Sequence, residues 1–206
     1  MNYYLQNFNI INEEKIPTIA GLLFFGKNPQ KHLKEARIVC SYIPGNDISF
    51  EPADLKSITG TIPNMIEDAG RFIKLYLAER HKIKDFEPEL YPELPFTAIR
   101  EFVVNAIAHR DYTINAPVRI IIFLDRIEIH SPGTLPNTVT IDKIKVGGAH
   151  VLRNSTIYNL LYKFKLVTDL GSGIRRACEL LKKEVNKEIE FNQTEAEFIV
   201  IIPRRK

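Results

Sequence analysis

The stretch from Phe96 to Tyr112, FTAIREFVVNAIAHRDY, constrains this chain more than any other. Its apolar residues recur at helical spacing, with Ile99, Phe102, Val103, Ala106 and Ile107 on one side at about 100° per residue. Glu101, Asn105 and His109 fall on the opposite side, each four residues from the next and so one above the other. A helix over 96–109 can therefore pack on a core while a carboxylate, an amide and an imidazole line a cleft. Asn is a mediocre helix former whose amide competes for backbone hydrogen bonds, so its place in mid-helix asks for a reason. A plain solvated helix face is the competing reading.

The rest of the chain frames that helix. Its 206 residues suit one large domain or two small ones, and 45% hydrophobic with 26% charged residues is ordinary globular composition. The run Ile120 to Leu124, as long as any purely aliphatic and aromatic run in the chain, is far too short to span a bilayer. Residues 1–17 lack the basic flank and apolar stretch of a signal peptide. Cys40 and Cys178 are the only cysteines and form no CxxC pair, so neither a zinc site nor a disulfide framework is indicated. These features point to a cytoplasmic protein with no membrane partner.

Hydrophobic patterning divides the chain at residue 87. In the smaller portion, 1–86, it predicts a short helix over 18–25, strands over 36–43 and 54–62, and an amphipathic helix opened by Pro63. Residues 87–95 hold three prolines and read as a linker. The larger portion, 87–206, is expected to carry the 96–109 helix and strands over 118–123 and 127–130. An irregular segment over 138–151, helices over 155–164 and 174–185, and a closing hairpin over 188–191 and 197–202 follow. The fold class is α+β, helices layered on one face of a mixed sheet, preceded by a smaller α+β portion.

Two features invite other readings. Gly21-Leu-Leu-Phe-Phe-Gly-Lys27 fits the first seven positions of a P-loop, but Asn28 stands where a magnesium-binding hydroxyl is needed. The middle residues are bulky and apolar, so a P-loop motor helicase is not expected. Residues 153–187 hold eight basic and three acidic residues, although the whole chain has a net charge of only +3. Two helices and a hairpin in that region could form a DNA-contacting winged helix, although the gap of 165–173 is long for a helix-turn-helix.

The string Glu101-x-x-x-Asn105-Ala-x-x-His109 resembles the asparagine box of the GHKL (Bergerat) ATP-binding fold of gyrases and histidine kinases. Extended through Arg110-Asp111-Tyr112, it resembles one branch: the C-terminal domain of RecG-related transcriptional regulators, often labelled ATP-dependent DNA helicases. The resemblance implies ATP and Mg2+ as ligands, with Asn105 holding the metal and Glu101 orienting or deprotonating the attacking water. It places His109 and Arg110 near phosphate, where a helix carboxy end favours cations. Tyr112 is expected on the core.

Later glycines extend the likeness. The first glycine box, usually Asp-x-Gly-x-Gly, reads Ser131-Pro132-Gly133 here, so Gly133 is kept while Ser131 replaces the residue that reads the adenine amino group. Gly147-Gly148 stand in the position of a lid, and Gly171-Ser172-Gly173 resemble the box that closes over phosphates before a helix start. The likeness covers 96 to about 185. It implies a DNA-binding module further upstream, which makes this chain a piece of a longer protein. Binding with weak or no hydrolysis is expected, with a homodimer as a further expected partner. The alternative is a scaffold that has lost the nucleotide and works through dimerisation or DNA contact.

Overall fold

The computed structural model describes residues 2–84, 87–136, 138–147, 151–167 and 172–204, with the side chains of 2 and 79–90 left out. The chain begins with helix α1 (Asn2–Asn7) and helix α2 (Ile19–Phe25). α2 is capped by Thr18, whose Oγ1 accepts from Gly21 N at 3.0 Å. Gly21 packs so closely that a Cβ there would strike the carbonyl of Ile10. The P-loop-like string is thus helix and packing contact, with no phosphate loop.

Strand β1 (Ile38–Tyr42), strand β2 (Asp54–Ile58) and helix α3 (Ile62–Tyr76) follow. Pro63 sits in the first turn of α3, where its missing N–H goes unused. Strands β3 (Glu79–Lys84) and β4 (Glu87–Pro92) then pair antiparallel as a separate hairpin, where a linker was expected. By strand alternation Pro88 and Pro92 have their missing N–H groups on the same edge, and a two-stranded ladder leaves one edge of each strand free.

Helix α4 (Phe96–His109) has the bounds that its periodicity predicts. After it come β5 (Val118–Ile122), β6 (Arg126–Pro132), α5 (Ile141–Val146), α6 (Ser155–Lys163), α7 (Gly173–Val185), β7 (Glu190–Gln193) and β8 (Glu197–Pro203). The segment expected to be irregular therefore contains α5, capped by Thr140 Oγ1.

Six strands form one mixed sheet in the order β2-β1-β5-β6-β8-β7, with β1 and β5 parallel and every other pair antiparallel. The division expected at residue 87 does not separate two sheets, because β1 and β2 complete the edge beside β5. A single apolar cluster joins Leu23, Ile38 and Phe72 to Phe102, Ile120 and Leu161. The β7–β8 hairpin pairs with β6 inside this sheet, which rules out a free wing and corrects the winged-helix alternative. Helices cover one face, giving the expected two-layer α+β sandwich. Among the described residues no helix is long and apolar enough to cross a membrane.

The other face carries a row of charged residues. Arg119 pairs with Glu197 at 2.8 Å, and His130 lies between Glu128 at 2.9 Å and Glu197 at 3.1 Å. Hydrogen bonding to His130 holds the Glu128 carboxyl below its usual range. Burial alone would raise Glu197, but its bonds to Arg119 and His130 outweigh that and lower it. A small apolar cluster of Ile43, Ile121 and Phe123 completes this face. A buried ion pair closes the fold nearby: Arg204 Nε donates to Glu93 Oε1 at 2.5 Å, and its other nitrogens reach Phe123 O and Tyr76 O.

Candidate nucleotide site

Periodicity builds the first wall of the site. Ala98, Ile99, Phe102, Val103, Ala106 and Ile107 of α4 are buried, which turns Glu101, Asn105 and His109 along one side of a cleft. Within this stripe Asn105 Nδ2 donates to Glu101 O at 2.7 Å and to Glu101 Oε1 at 3.0 Å. Asn105 Oδ1 is left as the acceptor that can meet a ligand or ion.

The opposite rim comes from β6 and α7. Gly133 has φ +106, a conformation that side-chain-bearing residues rarely adopt, and a Cβ there would collide with the Arg153 guanidinium. Gly173 opens α7 directly against Glu101; a Cβ there would collide with the carboxylate. A carboxylate at a helix amino terminus is favoured by the unpaired amides and the dipole. Ser131 lies on the floor, buried, with Oγ donating to Ala106 O at 2.8 Å. Its one proton is thereby committed, so Ser131 can offer a ligand only lone pairs.

The sequence expectations are met unevenly in position. Glu101, Asn105, His109, Ser131, Gly133 and Gly173 line one cleft. Ser172 is the N-cap position of α7 and Gly147 ends α5 at φ +78; neither is on the lining. Gly148 and Gly171 lie outside the described residues. Arg110 was expected at phosphate, but the backbone turns at this residue and its guanidinium points elsewhere. Nη2 reaches the carbonyls of Glu35, Ile114 and Ala116, and the group stacks 4.6 Å over the Tyr112 ring. Arg110 is a structural tie to the amino-terminal portion. Tyr112 packs on the core as expected and donates to Ile107 O.

Sequence reasoning missed Arg153. It follows the segment holding α5, a position with no periodicity, and nothing local distinguishes it from the other basic residues of 153–187. Those on α7, Arg175, Arg176, Lys182 and Lys183, are exposed. Arg153 instead enters the cleft, donating to His109 O at 3.2 Å and to Thr134 O. The adjacent Asn154 caps the end of α4, with Nδ2 donating to Ala108 O and Arg110 O. Burial, helped by the nearby Arg153 charge, pushes His109 below its usual pKa of 6.5, so its imidazole is neutral at pH 7.

The remaining lining is apolar, chiefly Phe102, Ile129, Leu135, Ile144, Phe191 and Val200, and the cleft encloses about 120 Å³. Sites for small ligands usually hold about 300–1,000 Å³. A nucleotide therefore requires more room than this cleft encloses, whose lining includes Val139, Ile144 and Val151 from α5 and the residues around it. Among the described residues no group of three or more His, Cys, Asp or Glu could hold a metal by itself. Magnesium needs no such cage when phosphates and waters supply most of its ligands, and one amide oxygen beside a carboxylate fits that chemistry.

Comparison with known proteins bears on the fold and on residues 115–202. The chain resembles the crystal structure of the DIP2311 protein from Corynebacterium diphtheriae, with a TM-score of 0.79 at 19% identity over 98% of this chain. It spans only 40% of that protein's length, and the likeness concerns the fold alone. No curated protein matches the chain. Residues 115–202 match the family described as "Putative ATP-dependent DNA helicase recG C-terminal". The match begins after α4, so Glu101, Asn105 and His109 lie outside it. Residues 115–202 are thus similar to the C-terminal domain that the order of the later glycines also resembles.

Proposed function

We propose that the cleft binds a purine nucleoside triphosphate together with Mg2+ and works as a sensor with weak or no hydrolysis. The observation that carries this reading is the single wall formed by Glu101, Asn105 and His109, faced by Gly133 and Gly173. Asn105 Oδ1 would hold the ion, and Glu101 would orient or deprotonate water where hydrolysis occurs. Bound magnesium would supply neutralisation of phosphate charge. Gly133 and Gly173 permit close backbone approach; Ser172 is the N-cap of α7 and Gly147 ends α5, and the roles proposed for Gly148 and Gly171 rest on the sequence alone. Ser131, restricted to accepting, can meet the amino group at C6 of adenine, or that at C2 of guanine with the base turned in the cleft, and one such bond discriminates weakly, so ATP and GTP should bind comparably.

In this reading the domain belongs to a longer transcriptional regulator that contacts DNA through a separate module and associates as a homodimer. A scaffold that binds no nucleotide has one observation in its favour: the cleft is small and mostly apolar. Titration with ATP, ADP and GTP, with and without Mg2+, decides between the two. We expect magnesium-dependent binding that weakens about ten- to a hundred-fold in Asn105→Ala, the usual effect of losing one charge-assisted contact. Glu101→Gln should retain binding and lose any turnover. Wild-type protein that binds no nucleotide at millimolar concentration would establish the scaffold reading.

A further inference from the structure

We infer that Arg153 is the anion-binding residue of the cleft, poised to pair with the phosphate oxygens of its ligand. The inference rests on the nucleotide reading for the source of the phosphate, and on the geometry alone for the anion. Among the described lining residues Arg153 is the only lysine or arginine, and Glu101 is the only carboxylate. An anion entering beside Glu101, in a mostly apolar cavity, needs a compensating cation. The other candidates are removed by their surroundings. Arg110 is tied to three carbonyls away from the cleft, and His109 is held neutral.

Arg153 itself is left available. Its hydrogen-bond partners are two neutral backbone carbonyls, those of His109 and Thr134; among the described residues no carboxylate forms an ion pair with it, and Asp111 feels its charge only at longer range. A guanidinium carries five N–H donors in a planar fork that suits two oxygens of one phosphate. Two of those donors are engaged here, so an anion can be met without dismantling the junction with α4. Gly133 makes this placement possible: the guanidinium occupies the space that any side chain at 133 would fill. The glycine thus serves the cation as much as the backbone turn.

The experiment measures binding of Mg-ATP, adenosine and inorganic tripolyphosphate to wild type, Arg153→Gln, Arg153→Lys and Asn154→Ala. Asn154→Ala loosens the same junction and leaves the charge in place. We expect Arg153→Gln to lose about ten- to a hundred-fold in ATP affinity while its adenosine affinity holds. Arg153→Lys should keep much of the preference for ATP over adenosine, and Asn154→Ala all of it. An unchanged ATP-to-adenosine ratio in Arg153→Gln, with wild type binding ATP, would overturn the inference and leave the nucleotide reading standing. Tripolyphosphate binding that depends on Arg153, with no binding of ATP or adenosine, would overturn the nucleotide reading and support the anion site. Binding of none of the three by wild type would remove both.

Discussion

Arg204 and Arg153 both use a guanidinium to join segments far apart in the chain, and they are finished differently. Arg204 lies 8% exposed against Glu93 at 4%, with one carboxylate and two carbonyls filling its fork. Arg153 reaches two carbonyls, has no carboxylate within ion-pair distance among the described residues, and borders open space. A buried charge that is paired on every side holds a fold together and has nothing left to offer a ligand. A half-satisfied charge beside a cavity has donors to give. The difference teaches where structure ends and binding begins in this molecule.

The largest effect should come from breaking the satisfied side. Glu93→Ala leaves a buried guanidinium without its counterion, a change that typically costs about 3–5 kcal/mol, readable as a lower urea midpoint. A loss no greater than that of a surface substitution would erase the contrast between the two arginines. Gly133→Ala acts on the open side: it combines a positive φ with a collision against Arg153 and should cost about 1–3 kcal/mol. It should also reduce ATP affinity more than adenosine affinity, because it displaces the guanidinium; equal losses would blur the comparison.

The smallest effect is a pH dependence. The folded pKa of His109 lies below 6.5, so the unfolded chain takes up its proton first as pH falls. The stability tied to the neutral imidazole is complete above about pH 6.5, declines below it, and levels off beneath the folded pKa. Urea unfolding between about pH 7.5 and 5 should show this slope in wild type and lose it in His109→Gln. Arg153→Gln should shallow the slope, since one of the two influences on His109 is gone. A slope untouched by either substitution would assign it to other groups.

Periodicity made α4 legible to its end residues, because an apolar stripe and a polar stripe are both written at helical spacing. Gly133 and Gly173 were legible as points of close approach, since small residues at a strand end and a helix start have few other uses. Arg110 was misplaced because helix numbering says nothing of the backbone turn that carries its side chain toward Glu35 and Ala116. Arg153 left no trace, because its role depends on the fold bringing β6, the end of α4 and the α5 segment together. The β3–β4 hairpin was hidden by prolines, which are tolerated there only because the ladder has two strands. Ser131 was recognised by position, but its bond to Ala106 O, which decides what it can offer, is tertiary.

The parallel pairing of β1 with β5 joins residues 38–42 to residues 118–122, across α3, the hairpin and α4. Such a contact closes a long loop before any reward arrives, which places the centre of the sheet late in folding. Until then β5 presents Ile120 and Ile122 along an unguarded strand edge, the kind of surface that recruits another chain. The segment matched by the family, 115–202, begins just before that edge and lacks the strand that covers it. Expressed alone it should aggregate, so the amino-terminal strands act as the molecule's own guard against mispairing.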